Sequence, residues 1–118
     1  MIIWHVRNSA IRLTGARAFA LGAALLSACQ QPPAPRSHSI AIRGFRYLPE
    51  SLTVAVGDTV DWANEDIVPH TVTAKQSPGF DSRDMAIQAR WQYVTREPAT
   101  VDYVCDYHPS MKAVLIVR

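Results

Sequence analysis

Leu52-Thr53-Val54-Ala55-Val56-Gly57-Asp58-Thr59-Val60-Asp61-Trp62 reads as two extended segments joined by a turn. Leu52, Val54 and Val56 recur at period two, which puts their side chains on one face of a strand, and Gly57-Asp58 supplies turn residues before Thr59-Val60-Asp61-Trp62 resumes the pattern. The alternation continues outward on both sides. Ile40 and Ile42 alternate upstream; downstream, His70 and Val72 share a face with Thr71 and Thr73 opposite, and Val101, Tyr103 and Cys105 share another. Ala113 to Val117 is a short apolar run suited to a strand covered on both faces. No segment sustains a 3.6-residue period, although Ser82 to Arg90 could form a helical turn. Short strands separated by turns over about eighty residues predict an all-β fold, a small Greek-key β-sandwich.

With 118 residues, 48% of them hydrophobic and 19% charged, the chain has the length and composition of one globular domain. Its start is different. Residues 1–28 carry Arg7, Arg12 and Arg17 without an acidic residue, followed by the apolar run Ala18 to Leu26, which is too short to span a bilayer. This is the pattern of a secretory signal peptide. Leu26-Ser27-Ala28-Cys29 resembles the lipobox of bacterial lipoproteins, in which the cysteine is acylated and becomes the mature N-terminus. The alternatives are an ordinary small-residue cleavage site beside a cysteine and a disulfide between Cys29 and Cys105. The disulfide would remove the free thiolate that the C-terminal motif requires.

The formal charge of +2 belongs to the leader. Once its three arginines are gone, nine basic residues face ten acidic ones, and no basic stripe for nucleic acid remains. Residues 29–38 include the polar, proline-rich Gln30-Gln31-Pro32-Pro33-Ala34-Pro35-Arg36-Ser37, which has nothing to bury and is expected to be an extended tether. Residues 39–118 are expected to form the folded domain. Acylated at Cys29, the protein would be exported to the bacterial periplasm or cell envelope and held at a membrane by lipid.

Chemistry concentrates in Cys105-Asp106-Tyr107-His108-Pro109-Ser110-Met111, where a thiol, an imidazole and a thioether follow one another at three-residue intervals after a strand. His70 lies 35 positions upstream of Cys105, so in a β architecture it comes from a different strand. A cysteine, a histidine or a methionine alone is ordinary core or surface material. Together, two histidines, a cysteine and a weak axial methionine are the donor set of electron-transfer copper sites, with soft sulfur favouring Cu(I) and imidazole also suiting Cu(II). Zinc competes for cysteine and histidine but has little use for methionine. His5 and His38 fall in the leader and the tether and are not expected to be ligands.

From about Ser39 to Arg118 the chain resembles the cupredoxins, and within them amicyanin and its plastocyanin-like relatives. The resemblance rests on Phe45 to Val54, Val56 to Asn64, Pro69-His70-Thr71-Val72 and Cys105 to Lys112, and the short gap from His108 to Met111 is similar to the amicyanin ligand loop. It implies one copper ion held by His70, Cys105 and His108, with Met111 as a long axial contact. It further implies that the Thr71 amide donates to the cysteine sulfur and that Asn64 braces the ligand loop. Three positions depart from the pattern: Ala113 replaces a common glycine, Ala99 the glycine of a frequent Pro-Gly turn, and Val101 a common aromatic residue. An alanine that needed positive φ would be strained.

A single site with no base and no substrate motif suits one-electron carriage between a transient redox donor and acceptor, by a monomer that is not an enzyme. The resemblance implies that the edge of His108 is exposed in an apolar patch, where redox encounters bury less than about 1,200 Å². The alternative is a periplasmic copper-binding carrier or sensor that delivers the metal. A multicopper enzyme would need several more histidines than His5 and His38 provide.

Overall fold

A computed structural model describes residues 29–118. The expected signal peptide lies outside the described residues, apart from its boundary at Cys29, which is an exposed, free cysteine. Residues 29–31 form no strand. The compact unit runs from Pro32 to Arg118.

Nine strands make up the described fold: β1 (Ser37–Ile42), β2 (Tyr47–Leu48), β3 (Ser51–Val54), β4 (Thr59–Asn64), β5 (Thr73–Ala74), β6 (Phe80–Asp81), β7 (Arg90–Val94), β8 (Ala99–Val104) and β9 (Lys112–Val117). They form two sheets, ordered β2-β1-β4-β7 and β3-β9-β8-β5-β6. β1 runs parallel to β4, and β3 parallel to β9; the other pairings are antiparallel. This is the all-β sandwich that the alternating pattern predicts. The parallel register sets Ile42 beside Asn64, so β1 and β4 end at one level and send their following turns to the same end of the sandwich.

Ile40, Ile42, Tyr47, Val60 and Trp62 from one sheet meet Val54, Val101, Tyr103, Leu115 and Val117 from the other. Trp62 is fully buried and its indole N–H donates to the Tyr103 hydroxyl at 3.3 Å, so the polar atoms of both rings are partnered. The rings cross at 88° with centroids 5.7 Å apart. Edge-to-face pairs of this kind contribute about 0.5–1.5 kcal/mol beyond the apolar area they bury.

Several details differ from the sequence expectations. β1 begins at Ser37, inside the stretch expected to be tether. Val56 keeps the period of Leu52 and Val54 but lies in the turn, 44% exposed, because β3 has already ended at Val54. Residues 82–89 contain no helical turn. Met85 instead forms a bridge to His70, and Gln88 takes a φ of 67° that no right-handed helix allows. Among the described residues the non-glycine positions at positive φ are Phe45, Arg83 and Gln88, so Ala99 and Ala113 sit in β8 and β9 without backbone strain.

Asp58 holds the end of the sandwich where β1 and β4 begin. Its Oδ1 accepts the Arg36 N–H at 2.9 Å, and its Oδ2 accepts the Ala55 N–H at 3.0 Å and meets His38 Nε2 at 2.8 Å. Arg36 C=O in turn accepts the Thr59 N–H at 2.9 Å. Gly57, at φ +92°, allows the tight turn that brings Asp58 back onto Ala55. These bonds, the Arg36 amide first, hold the Asp58 carboxyl down from its usual 3.8 to about 2. A carboxylate depressed in the folded state stabilises the fold above its unfolded value and stops doing so as pH falls through the folded value. Asp58→Asn is therefore expected to lower the melting temperature of the metal-free protein at neutral pH, and the gap from the parent should close as pH falls from about 4 to about 2. Melts followed by circular dichroism across that range check it; a gap that persists at the acid end refutes it.

Candidate metal centre

The other end of the sandwich is built from four connections: the β1–β2 turn, the β4–β5 loop, the β6–β7 loop and the β8–β9 loop. Cys105 follows β8 directly, so the strand fixes where its sulfur lies. The next six residues fold as two turns that share one residue. His108 N–H donates to Cys105 C=O at 3.2 Å, and Met111 N–H donates to His108 C=O at 2.8 Å. Each bond closes a four-residue β-turn, and Pro109 sits at the second position of the later one, where its fixed φ fits. The three-residue spacing of cysteine, histidine and methionine is the spacing of these turns. Cys105 N–H then donates to Met111 C=O at 3.2 Å and closes the loop on itself.

His70 reaches the same place from the β4–β5 loop. Its backbone exchanges two bonds with Met85, at 3.2 and 2.9 Å, which pin it to the β6–β7 loop. Asn64, the last residue of β4, holds the approach: its side-chain amide donates to the carbonyls of Val68, Met85 and Ala86, and its Oδ1 accepts the Asp66 N–H at 3.0 Å. It braces the loop that carries His70, while the Cys105–Met111 loop is braced by Thr71. Thr71 N–H donates to Cys105 Sγ at 3.3 Å, and its hydroxyl accepts the Asp106 N–H at 2.8 Å. Thr71 and Thr73 are both buried, and their hydroxyls share a hydrogen bond at 2.9 Å.

His70 Nδ1 lies 3.7 Å from Cys105 Sγ, and His108 Nδ1 lies 3.6 Å from it. The three donor atoms all fall within 4.8 Å of one another. A first-row metal ion binds thiolate at about 2.3 Å and imidazole at about 2.0 Å, so donors spread in a trigonal plane around one ion would stand about 3.7 Å apart, sulfur to nitrogen. The observed spacing fits a shared ion. His70 and Cys105 are completely buried, Met111 is buried, and His108 is half-buried. Cys105 is a free thiol, as the ligand reading requires.

Sequence reading missed Asp66. Its Oδ2 meets His70 Nε2 at 3.0 Å and accepts the Phe45 N–H at 2.9 Å, while Oδ1 accepts the Ile67 N–H at 3.1 Å. With the Nε2 proton directed at a carboxylate, Nδ1 presents its lone pair to the sulfur side. The Phe45 amide, followed by His70, holds the Asp66 carboxyl below the usual carboxylate range. The available signal was an acid four residues before a candidate ligand. Two outer contacts complete the loop: the Tyr107 hydroxyl donates to Asp84 at 2.9 Å, and Lys75 pairs with Asp106 at 3.2 Å.

No protein-family model matches the chain. Amicyanin-alpha of Methylorubrum extorquens is 31% identical over 103 residues, which cover 84% of this chain and 86% of that protein. Amicyanin of Paracoccus versutus is 29% identical over 83 residues, 67% of this chain and 63% of that one. Among solved structures, the Cu(I) form of an amicyanin variant superposes with a TM-score of 0.67 at 28% identity, over 73% of this chain and 86% of that one. A purple cupredoxin from Nitrosopumilus maritimus gives 0.63 at 29% identity, over 68% of this chain and 98% of that one. With this extent of shared sequence and a shared sandwich, the chain belongs to the amicyanin family of cupredoxins.

Proposed function

We propose that this protein is a type 1 copper electron carrier, in which His70, Cys105 and His108 would hold the ion and Met111 would supply a weaker fourth donor. The observation that carries the reading is the convergence of two imidazole nitrogens on one buried sulfur, at 3.6 and 3.7 Å. When bound, one copper ion supplies reversible one-electron chemistry between Cu(I) and Cu(II), both of which this donor set accommodates. The chain's own residues do the rest. Cys105 binds as thiolate, and the Thr71 amide directs a hydrogen bond at the charged sulfur. Asp66 fixes the tautomer and the plane of His70. The rigid ends of β4 and β8 keep the donors in one arrangement, so little has to move when an electron arrives or leaves.

His108 is the donor nearest solvent, and its edge is the proposed point of electron exchange. Phe45, Ile67 and Tyr107, on three of the loops that build this end, are exposed by 46%, 81% and 52%. Charges nearby occur as opposed pairs, Arg43 with Glu65 and Lys75 with Asp106. An apolar contact with little net field suits brief docking to a redox donor or acceptor without strong steering. We further propose that residues 1–28 are an export signal, that the residues between Cys29 and the start of the folded sandwich at Arg36 tether a monomeric domain, and that lipid on Cys29 holds it at the periplasmic face of a membrane. The lipobox-like sequence before Cys29 supports this.

Copper-loaded protein is expected to contain one ion per chain and to show an intense visible band from thiolate-to-copper charge transfer. Cys105→Ser should abolish the band. Met111→Leu should keep the metal at a raised reduction potential, whereas His70→Ala should lose affinity or colour. Absorption spectra and metal analysis decide; a serine variant that stays coloured overturns the ligand set.

Pro109→Glu places a charge beside the His108 edge without altering a donor atom. It should slow electron exchange with a redox partner severalfold while leaving colour and potential nearly unchanged. Stopped-flow rates check this. If the variant exchanges electrons normally yet no longer passes copper to an apo-acceptor, delivery of the metal replaces electron carriage as the function.

Cys29→Ser should move the protein from the membrane to the soluble extracytoplasmic fraction and leave copper binding intact. Parent protein that is already soluble without detergent refutes the lipid anchor.

A further inference from the structure

The two histidines of the site are held by different means. His70 has the Asp66 carboxylate on its outer nitrogen; His108 has no hydrogen-bond partner on Nε2 among the described residues, and its ring is half-buried. Beyond the 3.6 Å contact of Nδ1 with the Cys105 sulfur, no hydrogen bond among the described residues holds the plane of the His108 ring.

The β1–β2 turn supplies a candidate. Arg43 and Arg46 exchange both backbone hydrogen bonds, at 3.0 and 3.2 Å, across a two-residue turn in which Gly44 and Phe45 take φ of 59° and 58°. A hairpin turn with both central residues left-handed normally contains Asn, Asp or Gly. An aromatic residue there opposes its own backbone preference. Core packing does not explain it, since Phe45 remains 46% exposed. The ring instead stands edge-on to both imidazoles, with centroids 4.9 Å from His108 and 5.5 Å from His70 at 87° in each case. The Phe45 amide is held by Asp66 Oδ2, the same oxygen that meets His70 Nε2. Strained backbone that persists under such restraint points to a use for the side chain it displays.

We propose that Phe45 is a positioning residue of the metal centre: Asp66 ties the left-handed turn to His70, and the ring held there buttresses the His108 imidazole. Its contact keeps His108 Nδ1 directed at the Cys105 sulfur and shields one side of the imidazole from water. The inference rests on the copper-centre reading above and adds to it a restraint on the one strong ligand that lacks a hydrogen-bonded orienter.

Phe45→Gly tests it cleanly, because glycine suits the turn's φ and removes only the ring. Phe45→Leu keeps apolar bulk without the flat edge. In the metal-free full chain, imidazole NMR is expected to show one His108 ring orientation in the parent and exchange between orientations in Phe45→Gly, with Phe45→Leu between them. In the loaded protein, copper should pass from Phe45→Gly to a chelator at least tenfold faster, with a shifted visible band and potential. A single His108 orientation together with unchanged band, potential and release rate in both variants overturns the proposal, even if the melting temperature falls. A parent protein that never forms a coloured copper complex would instead remove the copper reading, and the NMR comparison would still decide whether Phe45 orients His108.

Discussion

Cys105 sulfur must be charged to bind metal, yet it has no exposed surface, and the site is organised around that conflict. Isolated charge in a protein interior is strongly unfavourable, so a buried thiolate persists only where cations and donors face it. Here the Thr71 amide donates to the sulfur, and the two imidazole nitrogens face it at the spacing of a shared ion, whose positive charge would compensate the thiolate. Tyr47, whose phenol donates to Thr71 C=O, has its ionisation pushed far up by burial and then by the nearby Cys105, so it stays neutral beside the sulfur. Moving the sulfur would disturb Thr71, both histidines and the turn above them together.

The two ends of the sandwich share this burden unequally. At the end where β1 and β4 begin, Asp58 gathers backbone donors from Arg36 and Ala55 and the His38 ring. At the other end, Asp66 plays a parallel part for Phe45, Ile67 and His70. The parallel register of β1 with β4 connects them, because it fixes the level at which both following loops start. A carboxylate at each end thus completes backbone bonding where strand pairing stops.

What the sequence made legible was what local rules decide. Period-two runs marked the strands, since burial of one face demands alternation. The ligand spacing was readable because two consecutive β-turns impose a three-residue interval, and Pro109 announces the second of them. Three other features depend on contacts between distant segments. Asp66 becomes significant only once the β4–β5 loop folds back on itself and meets the β1–β2 turn. The left-handed Phe45 gives no local signal, because turns of its kind are recognised by glycine or asparagine. Ser82 to Arg90 looked capable of a helical turn, but the bridge between Met85 and His70 and the turn from Ala86 to Ala89 take its place. Val56 kept the strand's rhythm one step past its end because its N–H still donates to Arg118 C=O at 3.1 Å, while its side chain already lies in the exposed turn.

The double turn also limits how this loop can change. His108 closes the first turn with its amide and opens the second with its carbonyl, so both depend on one residue's position. One residue inserted on either side of His108 would break a turn and displace a donor atom by a full residue length, with no slack to absorb it. A longer ligand loop in this chain would therefore require a turn to be rebuilt as a unit rather than stretched by one residue.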